Sequence, residues 1–283
     1  MILVTGTTGT VGAAVVRALG FTHAVRVLVR RPEALPEDIA RADGVEVHKG
    51  AYADQDALSR ALAGVRAAFL VTSHPAEPDD ERFTAAAREA GVRQLVKLSA
   101  LAVADEDADD FITRRQRHNE KVLRASGVPW TLLRPRAFMT NTLAWASSVR
   151  AQGVVHALYG SAPGACVDPR DIAEVAARVL TEPGHEGCTY ALTGPEAITP
   201  REQTRQLGEA LGRTLRFEEL TPERALAQLS ARYPEPVAQA LVESAGRAAA
   251  GTKGEISPDI EKVTGRPGGN FRGWAADHAG AFR

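Results

Sequence analysis

The sequence predicts an α/β protein, a doubly wound parallel sheet followed by a smaller C-terminal substrate lobe. Three observations carry that prediction. Short apolar runs alternate with amphipathic helical stretches through the first half, as expected of strands buried on both faces by crossover helices. A glycine-rich turn, Thr5-Gly6-Thr7-Thr8-Gly9-Thr10-Val11-Gly12, separates the first apolar run from the first helical stretch. After Leu133 the regular alternation stops.

Taken in order, strands are predicted at residues 2–4, 24–29, 45–48, 67–71, 94–98 and 130–133. Helices are predicted between them at 10–19, 54–63, 81–90 and 109–125. The right-handed crossover rule folds such a series into a doubly wound sheet. Beyond it, 138–150 reads as helical, 154–158 as a short strand and 188–192 as another. Asp168 followed by Pro169 caps a helix that runs to Leu180, and Thr199 caps one that runs to Leu211. Further helices are predicted at 222–229, 236–249 and 274–282. The expected division is a dinucleotide-binding unit at 1–152 and a mainly substrate-binding lobe at 153–283, with the helix at 169–182 returning to the first unit.

The glycine spacing has a chemical reading. Gly6 lets the chain turn sharply out of the strand, Gly9 lets backbone approach a pyrophosphate, and Gly12 lets the helix pack on the sheet. Helix-start amides then face the phosphates. An NAD site ordinarily carries an acidic residue ~20 positions beyond the glycines. Here that place holds Arg30 and Arg31. A guanidinium grips a 2′-phosphate, so the chain is expected to take NADPH/NADP.

Bulk properties exclude other classes. Formal net charge is −1, which does not favour a nucleic-acid surface. No apolar run approaches the ~20 residues of a membrane span. Cys166 and Cys188 have neither metal nor disulfide-framework spacing, and the first strand starts at Met1, so a cytoplasmic location is expected. The seven histidines are scattered, and no metal site is expected. The hydrolase elbow G-x-S-x-G is absent. The expected partner is a small-molecule substrate, with the chain as a monomer or homodimer.

The ordered series of motifs resembles the NmrA-like branch of the atypical short-chain dehydrogenase/reductases. It comprises the glycine turn at 5–12, Val-Arg-Arg-Pro at 29–32, Val-Lys-Leu-Ser-Ala at 96–100 and Ser-Gly-Val-Pro-Trp-Thr-Leu-Leu-Arg-Pro at 126–135. Val-Asp-Pro-Arg-Asp-Ile-Ala at 167–173, Tyr-Ala-Leu-Thr-Gly-Pro-Glu at 190–196 and, in the tail, Thr-Gly-Arg-Pro at 264–267 and Phe-Arg-Gly-Trp at 271–274 continue it. The resemblance implies a Rossmann-type fold that binds NADP. It places Gly6, Thr7, Thr8, Gly9, Thr10 and Val11 at the pyrophosphate and Arg30 at the 2′-phosphate. Thr72 and Ser73 would line the ribose, and Pro135, Arg136 and Phe138 the nicotinamide. Asn141 would point into the substrate cleft.

The chain departs from the wider superfamily at its catalytic Tyr-x-x-x-Lys dyad. With Glu120 as the helix landmark, the dyad positions fall on Ile112 and Gln116, and neither transfers protons. Ser99 matches the serine after the fifth strand and is a candidate partner for a substrate oxygen. His118 is a candidate acid. Lys97 is two residues from Ser99, so strand alternation puts both on one face unless the lysine snorkels to solvent. Without the dyad, the expected reaction is NADPH-dependent hydride transfer to a conjugated or iminium-like acceptor such as a quinone, azo compound or cyclic imine. Such acceptors take their proton from water. The alternative is a non-catalytic NADP(H)-sensing regulator that binds a partner.

Overall fold

The computed structural model describes residues 1–20, 23–72, 77–251 and 254–283. The first half contains β1 (Ile2–Thr5), α1 (Thr10–Ala18), β2 (Val25–Val29), α2 (Glu37–Ala40), β3 (Val45–Lys49) and α3 (Gln55–Leu62). It continues with β4 (Ala67–Leu70), α4 (Asp79–Glu89), β5 (Gln94–Leu98), α5 (Phe111–Ala125) and β6 (Trp130–Pro135). The second half holds α6 (Ala146–Gln152), β7 (Val154–Ala157), α7 (Pro169–Thr181), β8 (Thr189–Leu192), α8 (Pro200–Leu211) and β9 (Arg216–Glu219). It ends with α9 (Pro222–Ser230), α10 (Glu235–Ala249), α11 (Asp259–Thr264) and α12 (Phe271–Asp277).

Seven strands form one parallel sheet in the order β3-β2-β1-β4-β5-β6-β8. Alternation along each strand feeds two cores. Ile2 and Val4 pack with α1 and α7 on one face, while Leu3 packs with α3, α4 and α5 residues on the other. The central strands β1 and β4 are buried at every residue, so they are apolar without alternation up to Thr5, whose hydroxyl bonds to the chain after β4. The edge strand β3 is largely exposed, and its Glu46 pairs with Arg26 of β2 at 2.7 Å. Chain order reverses between β1 and β4, which makes a crevice at their carboxyl ends the expected ligand site.

Side-chain caps mark several helix starts. Asp54, Asp110, Asp168, Thr199 and Asn270 each accept a backbone amide from the first turn of α3, α5, α7, α8 and α12. Helix α1 differs: Gly9 caps it without a side-chain bond and its first turn has no acidic residue.

Residues beyond 152 do not form one separate body. Helix α7 packs against α1, β8 joins the main sheet beside β6, and α11 packs on α7. A third core gathers Met139, Val149, Val155, Leu207, Phe271, Trp274 and Phe282 beneath a small parallel pair, β7 with β9. Strand β9 is not legible in sequence because Arg216, Glu218 and Glu219 are exposed, so it lacks an apolar run. The stretch predicted as one helix at 138–150 is a 3₁₀ segment, Met139–Trp145, followed by α6. The predicted terminal helix is α12, begun by Asn270, then a 3₁₀ turn at Ala279–Phe282. No described helix is long and apolar enough to cross a membrane.

Candidate active site

The turn after β1 sits at the point where strand order reverses. Thr5 ties this point together: its hydroxyl donates to the Phe69 carbonyl at 3.1 Å and accepts the Val71 amide at 2.8 Å. Gly6 takes a left-handed φ of +68°, and a Cβ there would stand 2.8 Å from Val71 Cβ. Gly12 brings α1 onto the strand so closely that a Cβ would stand 2.4 Å from Gly6 O. Thr8, Gly9 and Thr10 are exposed, while Val11 is buried in the first core. The Thr7 hydroxyl is buried and has no hydrogen-bond partner. An uncapped helix start, a buried unpaired hydroxyl and two crowded glycines are what an anion at this turn would satisfy.

A cavity of about 430 Å³ runs from this turn to the end of β2. Gly6, Thr7, Thr8, Arg30, Tyr52 and Arg82 line it. Arg30, at the end of β2, therefore faces this cavity, whereas Arg31 is exposed at the start of a 3₁₀ turn and does not line it. Tyr52, Gly50 and Arg82 were not legible as site residues. Tyr52 carries no motif, and only the register of β3 beside β2 brings it here. Its phenol donates to the Val71 carbonyl at 2.7 Å, and burial pushes its pKa up, so it is a neutral wall of the cavity. The residues present fit a dinucleotide.

Beyond β4 the predicted residues separate. Thr72 Oγ1 donates to Asp80 at 2.7 Å and accepts from Lys97 Nζ at 3.0 Å. Lys97 is fully buried and pairs with buried Asp80 at 3.2 Å, so it does not snorkel. Ser73 lies outside the described residues. Ser99 and Lys97 do face the same helical layer, but the Ser99 proton is committed to Glu120 at 2.6 Å. Glu120 in turn holds the Arg134 guanidinium through two bonds, the Nε one at 2.8 Å. His118 points elsewhere: its imidazole meets Glu81 of α4 at 2.7 Å and is half exposed. Ile112 and Gln116 are half-buried, and Gln116 Oε1 is buried without a hydrogen-bond partner.

Strand β6 ends in Pro135, which is buried against Leu192 of β8. Phe138 packs against the first core, and Asn141 is exposed in the 3₁₀ segment. Arg136 lines a second cavity, at the β6–β8 edge, rather than the first. Helix α10 closes onto the start of α5 through Arg247, whose guanidinium pairs with Asp110 at 2.5 Å. Cys166 is no nucleophile, since burial pushes its thiol up to about 11. Among the described residues no cluster of His, Cys, Asp and Glu could hold a metal ion.

Residues 1–267 match the model of the NmrA-like family. The chain belongs to that family. It is 59% identical over 282 residues to the (4-alkanoyl-5-oxo-2,5-dihydrofuran-3-yl)methyl phosphate reductase of Streptomyces griseus, spanning 100% of this chain and 99% of that one. It is 36% identical over 288 residues to the NAD(P)H azoreductase of Xenophilus azovorans, with the same coverage of 100% and 99%. Among solved structures, the NADPH-dependent quinone oxidoreductase of Escherichia coli complexed with NADPH superposes with a TM-score of 0.85 at 29% identity, over 98% of this chain and 99% of that one. As a member of the NmrA-like family with reductases as full-length relatives, the chain is an oxidoreductase of Rossmann-type fold.

Proposed function

We propose that this enzyme saturates the carbon–carbon double bond of a butenolide that carries a phosphomethyl group, the acceptor class for which its Streptomyces griseus relative is named. The cofactor is NADP(H), and when bound its reduced form supplies a hydride. The chain's own part is to hold and orient. The turn at Gly6–Thr8 and the start of α1 would cradle the pyrophosphate, and Arg30 would receive the 2′-phosphate. The E. coli relative solved with NADPH supports this assignment.

The observation that supports an acceptor activated by its own carbonyls is that, among the described residues, the dyad positions and Ser99 offer no free proton donor. Ile112 and Gln116 occupy the dyad positions, and the Ser99 proton is spent on Glu120. A simple ketone would need a strong acid at its oxygen. A butenolide of this kind does not. Its double bond is conjugated with both a ring lactone and an exocyclic ketone, joined at one ring carbon. Reduction at the neighbouring carbon leaves charge shared between two carbonyl oxygens, an enolate that water can protonate. The Ser99–Glu120–Arg134 chain then acts as scaffold, fixing α5 against β5 and β6.

Steady-state oxidation of NADPH and NADH against a butenolide phosphate, a soluble quinone, an azo dye and a cyclic imine tests this reading. The butenolide phosphate with NADPH should give the highest kcat/KM, by at least about tenfold, the value of one lost charge-assisted contact in binding. Faster turnover of the quinone, azo dye or imine would contradict the assignment.

A further inference from the structure

The second cavity, at the carboxyl ends of β6 and β8, shares no lining residue with the cavity at the glycine turn. Its volume is about 200 Å³. Arg136 lines it together with Leu101, Asp105, Thr193, Glu255 and Ser257. The Arg136 backbone is fixed, its amide donating to the Leu192 carbonyl at 2.8 Å. Its guanidinium is not. Nε is buried without a hydrogen-bond partner, and no ion pair forms with any described residue. Other partly buried arginines contrast with it: Arg134 is held by Glu120, Arg247 by Asp110, and Arg26 by Glu46 and three carbonyls.

Burial lowers the Arg136 pKa, and the nearby charges of Glu255 and Asp105 oppose that shift. Neither carboxylate comes within ion-pair distance. Asp105 lies 3.8 Å from Arg247, and Glu255 is exposed. Thr193 supplies a second donor. It is buried, and its oxygen accepts the Ser257 amide at 2.9 Å, which leaves the hydroxyl proton for another acceptor. A half-buried guanidinium whose Nε is buried and unpaired, lining one cavity with a buried hydroxyl, is a site for an oxyanion.

Strand order places this site. The nucleotide cavity lies at the ends of β1, β2 and β4, while the Arg136 cavity lies at the opposite end of the sheet, past β5. Resting on the butenolide phosphate reading, we infer that Arg136, aided by Thr193, anchors the phosphate of the substrate and so determines the enzyme's preference for a phosphorylated acceptor.

The test compares the phosphorylated butenolide with its hydroxymethyl counterpart in wild type, Arg136→Gln, Arg136→Lys and Thr193→Val. Wild type should favour the phosphate about tenfold to hundredfold in kcat/KM, the value of one or two charge-assisted bonds. That preference should collapse in Arg136→Gln, fall in Arg136→Lys because a point charge lacks the planar fork, and fall less in Thr193→Val. A preference that survives Arg136→Gln, or that is absent in wild type, overturns the anchor. Quinone reduction gives a second readout that does not depend on the butenolide. Methyl phosphate should inhibit it competitively in wild type and more than tenfold more weakly in Arg136→Gln. If that inhibition depends on Arg136 while neither butenolide is reduced, the anchor stands and the acceptor assignment fails. If methyl phosphate inhibits both proteins equally, the anchor fails.

Discussion

At the scale of single residues, the two ends of the proposed ligand path each carry a guanidinium group placed by a strand end. Arg30 follows β2 and lines the nucleotide cavity, while its neighbour Arg31 does not. Arg30→Gln should therefore raise KM for NADPH about tenfold to hundredfold, since a charge-assisted bond contributes ~1.5–3 kcal/mol. KM for NADH should rise far less, because NADH lacks the 2′-phosphate. Arg31→Gln should have a smaller effect on NADPH. Equal losses for both coenzymes in Arg30→Gln would show that the arginine contacts the adenine half rather than the phosphate. The place of Arg30 was legible, because the spacing from the glycines and the end of an apolar run together fix a strand end. His118 and Lys97 were not. Sequence gives which face of an element a side chain takes, but not what it meets there. His118 meets Glu81, and Lys97 meets Asp80 and Thr72 in a closed interior.

Elements are held in register by buried polar links as much as by apolar packing. The Lys97–Asp80 pair joins β5 to the first turn of α4, and Thr72 after β4 bonds to both partners. This fixes the chain that leaves β4 beside the nucleotide turn. Removing one partner leaves a buried charge without a counter-ion, which typically costs ~3–5 kcal/mol. Lys97→Met should lower unfolding free energy by about that amount in urea titration, and Lys97→Met with Asp80→Leu should recover much of the loss. A single variant as stable as wild type would show that the pair carries little. The sheet strands were legible because parallel strands buried on both faces are continuous apolar runs. Helix starts were legible where a capping residue stands, as at Asp54, Asp168 and Thr199. Strand β9 and helix α11 were missed because both are short and depend on neighbours distant in sequence for their existence.

On the scale of the whole molecule, one sheet carries two separate cavities along its carboxyl edge. Under the proposed function, a phosphate-reading end at Arg30 and Gly6 would lead past β5, where Ser99 gives its proton to Glu120, to Arg136, whose Nε has no hydrogen-bond partner. This layout suits an acceptor that is activated by its own carbonyls and bears an anion at a distance from the reacting bond. The full-length likeness to a reductase, at 59% identity, weighs against a purely sensory role. The division of labour between halves was only partly visible in sequence. Helix α7, strand β8 and helix α11 rejoin the first half because the sheet's outer strand and one helical layer come from late in the chain. The most direct test of this account is to incubate the enzyme with a butenolide phosphate and NADPH deuterated at the transferring position, and to locate the label by NMR. The account predicts deuterium on the ring carbon that bears the phosphomethyl group, with the hydrogen on the adjacent carbon drawn from solvent. Deuterium at a carbonyl carbon, or none in the lactone at all, would contradict it.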